Sequence, residues 1–183
     1  SQRGALGKSA EAIGGSVMFL ASLDNVVSFP WAAVLRALWT DAFDARWEAR
    51  HGSTLALRSL LEVFPDGFVA ATKSRNVEAV FEHCAACAVR LLAMERFNDY
   101  IGDRVVSPVR ETAAQLLGVA LTQLEERSFR TAVNHLLVLV RGAEWEVRHA
   151  GLLGLRYAVT LRPAFMHEFA AQFQDQTGGR FPA

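Results

Sequence analysis

Several protein classes are excluded by what the sequence lacks. It holds only two cysteines in 183 residues, which excludes a disulfide framework and favours a reducing, intracellular setting. Its 19 basic residues balance 19 acidic ones, so composition gives no footprint of nucleic-acid binding. No hydrophobic run approaches the roughly 20 residues that span a bilayer. The hydrophobic fraction of 51% is nevertheless too high for a disordered chain and indicates a folded core.

Strand signals are also scarce, because alternating runs and Asn-Gly or Asp-Gly turns are almost missing. Helical periodicity dominates instead, for example at 116–124 behind Pro108, a residue that suits the first turn of a helix. The long break Pro65–Asn76 reads as a surface loop, and a second break at Gly102–Ser107 separates two long helices. The predicted helices lie near 5–22, 31–43, 46–63, 77–100, 108–126, 129–141, 145–161 and 164–173.

The architecture follows from a segment that occurs twice. Trp47–Pro65 aligns without a gap on Trp145–Pro163, 98 residues later. A looser third copy starts at Pro108, and its Arg110 stands 60 residues after the first copy's arginine and 38 before the last copy's. The shorter interval fits a HEAT-like period of roughly 40–47 residues, and the longer one fits it plus a loop. The sequence therefore predicts an all-α solenoid of about three HEAT/ARM-type helix pairs, with an extra N-terminal helix.

This repeat divides the chain into three predicted parts. Residues 1–30 form an N-terminal helical segment and linker, and 176–183 form a loose tail. The array between them, 31–175, holds pairs at about 31–64, 77–126 and 129–162 and the start of a further repeat. Since the chain opens on Ser1 rather than methionine, we expect it to be a piece of a longer protein.

Each copy has features that suit stacked helix pairs. Glu48, Glu111 and Glu146 fall in a first helical turn, where a negative charge meets the positive helix end. The basic residue that follows is expected to pair with an acid of the neighbouring repeat. The last copy also carries a face of small side chains, namely Ala150, Gly151, Gly154 and Ala158. Glycine in a helix costs roughly 1 kcal/mol relative to alanine, so we expect a neighbouring helix to approach this face closely.

Two motifs carry a family resemblance. One is the doubled Trp-Glu-x-Arg-His, which ends in Gly-Leu-Leu-Gly-Leu-Arg-Tyr at 151–157. The other runs from Glu95 to Thr112 and is similar to an Arg-Phe-Gly-Asp-Phe … Val-Val-Ala-Pro-Val-Arg-Glu-Thr stretch. Through these strings, residues 31–172 resemble the helical-repeat region of the TATA-binding-protein-associated remodelling ATPases, the Mot family.

The resemblance implies a function. Members of that family are nuclear proteins whose repeats grip the convex surface of TATA-binding protein, while a C-terminal Swi–Snf-type ATPase strips that protein from DNA. The chain holds no Gly-x-x-x-x-Gly-Lys-Ser/Thr phosphate loop. We therefore expect a non-catalytic region that binds TATA-binding protein and has no catalytic residue, metal site or cofactor of its own. ATP and Mg²⁺ are expected only in a motor domain elsewhere in the full-length protein.

Candidate contacts lie where the doubled helices begin, because intra-repeat turns line one edge of a solenoid and often bind partners. They are Asp44, Trp47, Glu48, Arg50 and His51 in the first copy and Glu144, Trp145, Glu146, Arg148 and His149 in the last. Locking one repeat to the next explains the same repeated residues and is the favoured interpretation. Both roles are compatible if the glutamates and histidines point outward and the tryptophans inward.

Other groups of residues that could form a metal, redox or catalytic site have less support in the sequence. Cys84 and Cys87, with His83 beside them, have a metal or redox spacing, but one such pair gives too few ligands for a closed zinc site. The same spacing places both thiols on one helical face, as core packing requires. No local motif joins His51, His135 or His167 to a nucleophile, as catalysis would require. A small helical enzyme therefore has no residue constellation in its favour.

DNA contact and a different partner stay open. Arg36, Arg46, Arg50 and Arg58 lie on consecutive predicted helices and are positioned to meet phosphates. Interspersed acids such as Asp41 break any basic stripe, so DNA near the TATA site is a weaker expectation than TATA-binding protein. The alternative function is a generic HEAT or armadillo scaffold with another protein partner. Neither membrane nor small-molecule substrate is expected.

Overall fold

A computed structural model describes residues 31–63, 65–67, 77–95, 99–101, 104–106 and 108–177. The predicted helix at 5–22 and the predicted tail from 178 onward lie outside these residues. The main elements in chain order are α1 (Trp31–Asp41), α2 (Trp47–Val63), α3 (Val77–Met94), β1 (Asp99–Ile101), β2 (Arg104–Val106), α4 (Pro108–Gln123), α5 (Glu126–Val140), α6 (Trp145–Leu161) and α7 (Pro163–Thr177). The predicted all-α class is confirmed, and the HEAT type of the repeats stays a prediction. No helix in the described ranges is long and apolar enough to cross a membrane.

The predicted bounds hold best in the last copy, where α6 begins and ends at the predicted residues. The prediction that α3 reaches residue 100 is wrong, because the helix ends at Met94. A short antiparallel hairpin follows, in which Asp99 pairs with Val106 and Ile101 with Arg104. β-Branched residues favour these strands, and a two-residue connection is the commonest length for a hairpin. Local strand preference thus ends a helix that hydrophobic periodicity alone would extend.

The remaining differences are smaller. α5 begins at Glu126, three residues before the predicted start. The backbone N–H of Glu125, just ahead of it, donates to both carboxylate oxygens of Glu78 on α3, at 3.0 and 3.2 Å, so the earlier start leaves this donor satisfied. α7 extends four residues past its predicted end. Residues 65–67, the start of the predicted loop, are helical, and 68–76 lie outside the described residues.

α4 occupies the centre of the packed helices. It packs against α2, α3 and α6, while α5 packs mainly against α6. Its buried side chains cover most of its circumference, and they include Val109, Ala113, Leu117 and Leu121. A helix apolar all round is one enclosed by neighbours. The order α2, α4, α6 therefore gives one continuous row of packed helices, and the doubled segment forms its first and last members.

The small-residue face of α6 meets α5 at close range, as predicted. A Cβ placed on Gly151 would lie 2.7 Å from the backbone nitrogen of Val140 and 2.8 Å from the carbonyl oxygen of Leu136. A Cβ on Gly154 would lie 2.4 Å from a methyl group of the same leucine. Ala150 and Ala158 are fully buried in the same face. Glycine is required here because the backbone of one helix touches the next.

This contact gives a matched pair of stability predictions. Gly151→Ala should lower the free energy of unfolding by about 1–3 kcal/mol, because the added methyl group meets backbone that cannot rotate away. Gly52→Ala, in α2, should raise it by about 0.5–1 kcal/mol, because the added methyl group meets nothing within 4 Å beyond the nearby backbone of its own helix and alanine is the better helix former. Urea unfolding of both variants measures the difference. Equal effects of the two substitutions would contradict the close α5–α6 contact.

Candidate binding surface at the helix starts

Arg50 in the first copy joins two repeats. Its guanidinium forms a two-bond pair with Glu95, with Nε and Nη2 at 3.0 and 2.8 Å from the two carboxylate oxygens. Its Nη1 donates to the carbonyl oxygens of Asp44 and Ala45, in the turn before α2. The Glu95 side chain is 6% exposed and that of Arg50 is 20% exposed. The predicted pairing between a repeat arginine and an acid of the neighbouring repeat is therefore confirmed here.

Arg110 in the middle copy is fully buried and bonds differently. Its Nη2 donates to the carbonyl oxygen of Glu95, and its Nη1 donates to the carbonyl oxygen of Glu146 at the start of α6. The same nitrogen lies 3.4 Å from Nδ1 of His149. Arginine presents several donors in a fixed plane, which suits binding two carbonyls at once. This side chain consequently ties the end of α3, α4 and the start of α6 together.

Arg148 in the last copy repeats only half of the Arg50 pattern. Its Nη1 donates to the carbonyl oxygens of Gly142 and Ala143, at 3.1 and 2.6 Å, in the turn before α6. These acceptors stand six and five residues before it, as Asp44 and Ala45 stand before Arg50. Within 31–177, excluding the gaps, no carboxylate makes an ion pair with Arg148. The residue is exposed.

The starts of α2, α4 and α6 lie next to one another. His51 of α2 has its Nδ1 3.4 Å from the hydroxyl of Thr112 on α4, and Arg110 of α4 bonds the start of α6. Two of the first-turn acids, Glu48 and Glu111, are exposed, and Glu146 is half-buried. We call this row of helix starts the N-terminal edge. It places three carboxylates in register beside three positive helix ends.

The other candidate contact residues differ in how far their side chains are buried. Trp47 is half-buried and its ring lies 6.4 Å from that of His51. Trp145 is 54% exposed, and Glu144 and His149 are exposed as well. Burial therefore differs between the copies, since Trp47 is half-buried and its counterpart Trp145 is exposed. The same sequence has two environments because only the first is followed by another described copy.

The pKa values of Asp44 and His149, which both lie at this edge, are lowered from their ordinary values. The backbone N–H of Arg46 donates to the Asp44 carboxylate at 2.7 Å and lowers the pKa of that group, and the guanidinium of the same arginine adds to the effect. Burial and, secondarily, the Arg110 charge lower the pKa of His149 from its ordinary value of 6.5. Both causes favour the neutral form of the ring over the protonated form.

The cysteines serve packing in the described structure, whereas His135 and His167 are exposed. Cys84 and Cys87 are free and buried, and burial, with a smaller contribution from the second thiol, raises the pKa of Cys84 to about 12. A thiol so far from ionisation is a poor nucleophile and a poor metal ligand. No cluster of three or more histidine, cysteine or acidic side chains suited to a metal occurs among the described residues.

Three of the four arginines suggested for phosphate contact are engaged with neighbouring side chains. Arg50 is occupied by Glu95. Arg46 pairs with Asp44, and Arg58 donates to Gln115 and lies 3.9 Å from Glu62. Arg36 is exposed on α1. Three of these charges are therefore shared with nearby acceptors, which leaves little free positive charge for DNA.

Sequence reasoning missed two residues that organise this edge, Glu95 and Arg110. The sequence signal at Glu95 is an acidic residue that begins the second motif directly after an apolar helical stretch. The burial of Arg110 had no comparable signal, because arginine is rarely buried unless paired.

Comparison with known proteins gives one consistent group of relatives. The human "TATA-binding protein-associated factor 172" is 36% identical over 146 residues, which are 76% of this chain and 8% of the human protein. The corresponding mot1 protein of Schizosaccharomyces pombe is 31% identical over 147 residues, 73% of this chain and 8% of that protein. The Arabidopsis thaliana factor BTAF1 is 40% identical over 91 residues, 48% of this chain and 4% of that protein. The chain thus spans less than a tenth of the length of these relatives. No family model and no solved structure matches the chain.

Proposed function

The chain belongs to the Mot1 family of TATA-binding-protein-associated factors and corresponds to a helical region of these proteins. We propose that it binds TATA-binding protein and holds it. The relatives carry that partner in their names. The proposal covers a non-catalytic role in transcription regulation, in the nucleus. It assigns no cofactor to this chain. ATP hydrolysis and removal of the partner from DNA would belong to a Swi–Snf-type motor in the full-length protein.

The N-terminal edge is the surface that best supports this role. It aligns the exposed carboxylates of Glu48 and Glu111 with that of Glu146 across three helices. Such a row is complementary to a basic protein surface, and complementary charge gives specificity and fast association. Surfaces at the turns of repeat proteins are common binding sites.

Rigidity of the edge supports the same role. Arg50 and Arg110 fix the three helix starts through bonds to backbone and to Glu95. A surface held in its binding geometry loses little conformational entropy when a partner docks. The packing and binding interpretations are therefore compatible: the arginines hold the edge, and the glutamates face the partner.

A charge-reversal variant tests the proposal. Glu48→Lys combined with Glu111→Lys should weaken capture of purified TATA-binding protein by about tenfold or more, because like charges placed across an interface cost several kcal/mol. Glu168→Lys, an exposed acid on α7 away from the edge, is the matched control and should bind like the unmodified chain. Binding is measured by titration at fixed ionic strength, with circular dichroism to show that each variant is folded.

Two outcomes would count against the role. Unchanged binding by the double variant would remove the edge from the interface. Failure of the folded, unmodified chain, and of a folded polypeptide with more repeats, to bind TATA-binding protein at all would favour a scaffold for another partner.

A further inference from the structure

A surface groove is formed by the row α2, α4 and α6, away from the N-terminal edge. Its volume is about 310 Å³, within the range of pockets that hold small ligands, roughly 300–1,000 Å³. Its lining includes Arg58 and Glu62 from α2, Gln115 and Gly118 from α4, and Tyr157 and Leu161 from α6. Arg58 follows Glu48 by ten residues, about 15 Å along the helix, so the groove is separate from that edge.

The middle copy departs from the repeat at this groove. Arg58 in α2 and Arg156 in α6 stand at equivalent positions, and the corresponding residue of α4 is Gly118, 60 residues after the first and 38 before the second. A Cβ on this glycine would lie 2.6 Å from Cδ1 of Tyr157, so the tyrosine ring rests directly on the backbone of α4. A larger side chain in the middle copy would occupy the place of this ring, which forms one wall of the groove.

Arg58 carries an unpaired hydrogen-bond donor at the groove. Its Nη1 donates to Oε1 of Gln115, whereas its Nε is buried and has no hydrogen-bond partner among the described residues. Oε2 of Glu62, its ion-pair partner, lies 3.9 Å from this nitrogen, which is too far for a hydrogen bond. Buried donors are almost always paired in folded proteins. An unpaired donor beside a groove therefore points to a ligand that accepts its hydrogen bond.

The donor and the acceptor beside it match the two backbone groups of an extended residue. Glu62 is exposed, and a carboxylate accepts several hydrogen bonds. In an extended chain the N–H and C=O groups of one residue point to the same side, which is why paired antiparallel strands exchange both bonds. One such residue therefore reaches both Arg58 and Glu62. A helical segment does not, because its backbone groups are bonded internally.

Charge and apolar surface favour the same occupant. Among the residues that line the groove, the positive charge of Arg58 balances the negative charge of Glu62, so a neutral polar group suits the site better than a free anion or cation. Tyr157 is half-buried and Leu161 is 38% exposed, and both offer apolar surface to a side chain. The oxygen of Gln115 is occupied by Arg58, which leaves its amide nitrogen to donate to a second carbonyl.

We propose that this groove binds an extended, apolar segment of a partner protein through the backbone of that segment. Nε of Arg58 donates to the C=O of one residue of the segment, and the carboxylate of Glu62 accepts from the N–H of the same residue. The side chain of that residue packs on Tyr157 and Leu161. The proposal does not depend on the binding of TATA-binding protein at the N-terminal edge, because the groove uses other residues.

A single blocked residue is the probe that tests the proposal. N-acetyl-leucine-N-methylamide, added to the 183-residue chain, should shift the NMR signal of the Arg58 Nε–H group and saturate with a Kd of about 1 mM, as expected of so small a ligand. The analogue methylated on the leucine nitrogen has no N–H for Glu62 and should bind about fivefold more weakly.

A pair of variants supplies the control for the probe. Arg58→Met removes the donor and should abolish saturable binding, which is followed at the backbone amide signal of Gly118. Arg156→Met changes the corresponding residue of α6, which is exposed, and should bind the probe like the unmodified chain. Circular dichroism shows that each variant is folded.

Several outcomes would overturn the proposal. An Arg58 signal that does not move at about 10 mM probe, ten times the expected Kd, would show that this donor takes no backbone carbonyl. Equal affinity of the methylated analogue would exclude the bond to Glu62, and a larger shift with acetate than with the probe would make the groove an anion site. Glu48→Lys combined with Glu111→Lys should leave the Kd of the probe unchanged, and a changed Kd would contradict the independence of the two sites.

Discussion

Replacement of Glu95 by alanine is expected to lower the free energy of unfolding by about 3 kcal/mol, the lower end of the range for breaking a buried ion pair. The carboxylate is 6% exposed and holds two nitrogens of Arg50. Without it, the charged guanidinium of Arg50 has no carboxylate partner in a site that is largely shielded from solvent. The loss is not larger because the arginine is 20% exposed and keeps its bonds to the turn before α2. Chemical denaturation of the purified chain measures the change.

The last copy supplies the control for this pair. Arg148→Ala removes the same two turn bonds as Arg50→Ala but no ion pair, so it should cost only about 1 kcal/mol. The difference between the two arginine variants then isolates the contribution of Glu95. A double-mutant cycle of Arg50→Ala and Glu95→Ala should give a coupling energy of about 1–3 kcal/mol. A coupling near zero would show that the pair contributes nothing to repeat stacking.

Arg110→Ala is expected to destabilise the chain by about 3–5 kcal/mol, because a large buried side chain is lost and the carbonyl oxygens of Glu95 and Glu146 each lose a donor. Arg110→Lys should recover only part of this, since a single ammonium group cannot serve both Glu95 and Glu146 in the geometry of the guanidinium plane. The comparison is Arg127→Ala, an exposed arginine on α5, which should change stability by less than about 0.5 kcal/mol.

The shape of the unfolding transition tests whether Arg110 couples neighbouring repeats. Repeat arrays unfold as one unit only while the contacts between neighbouring repeats are strong. With the bond between α4 and the start of α6 removed, the Arg110→Ala unfolding curve should broaden or separate into two steps. A single sharp transition in this variant, with little loss of stability, would show that apolar contact alone couples the repeats.

Much of this fold was accessible from the sequence because its signals are local and repeated. The repeat at an offset of 98 residues placed α2 and α6 in equivalent positions, and periodicity placed α6 at its observed bounds. The glycines at 151 and 154 predicted a close helix contact, since only a nearby backbone compensates their cost in a helix. The pairing of a repeat arginine with a neighbouring acid followed from the same logic and is confirmed at Arg50.

The parts that could not be predicted depend on contacts distant in sequence. The end of α3 at Met94 is set by a hairpin whose strands are three residues each, too short for periodicity to reveal. Arg110 bonds residues 15 before and 36 after it, and nothing in its local sequence separates it from an exposed arginine. The candidate contacts at the edge remain proposals, because packing of one repeat on the next also explains why these residues recur and is the favoured interpretation.

The bonds of Arg50 and Arg110 have a mechanical consequence. Apolar faces resist separation of two helices, but they oppose sliding only weakly because dispersion is not directional. Hydrogen bonds weaken steeply when bent. The bonds from α2 to Glu95, and from α4 to Glu95 and Glu146, therefore oppose shear along the helix axes. A pull applied at one end of the array is thereby transmitted through the polar side chains at the helix starts, while the glycine-lined contacts further along the helices only set the spacing.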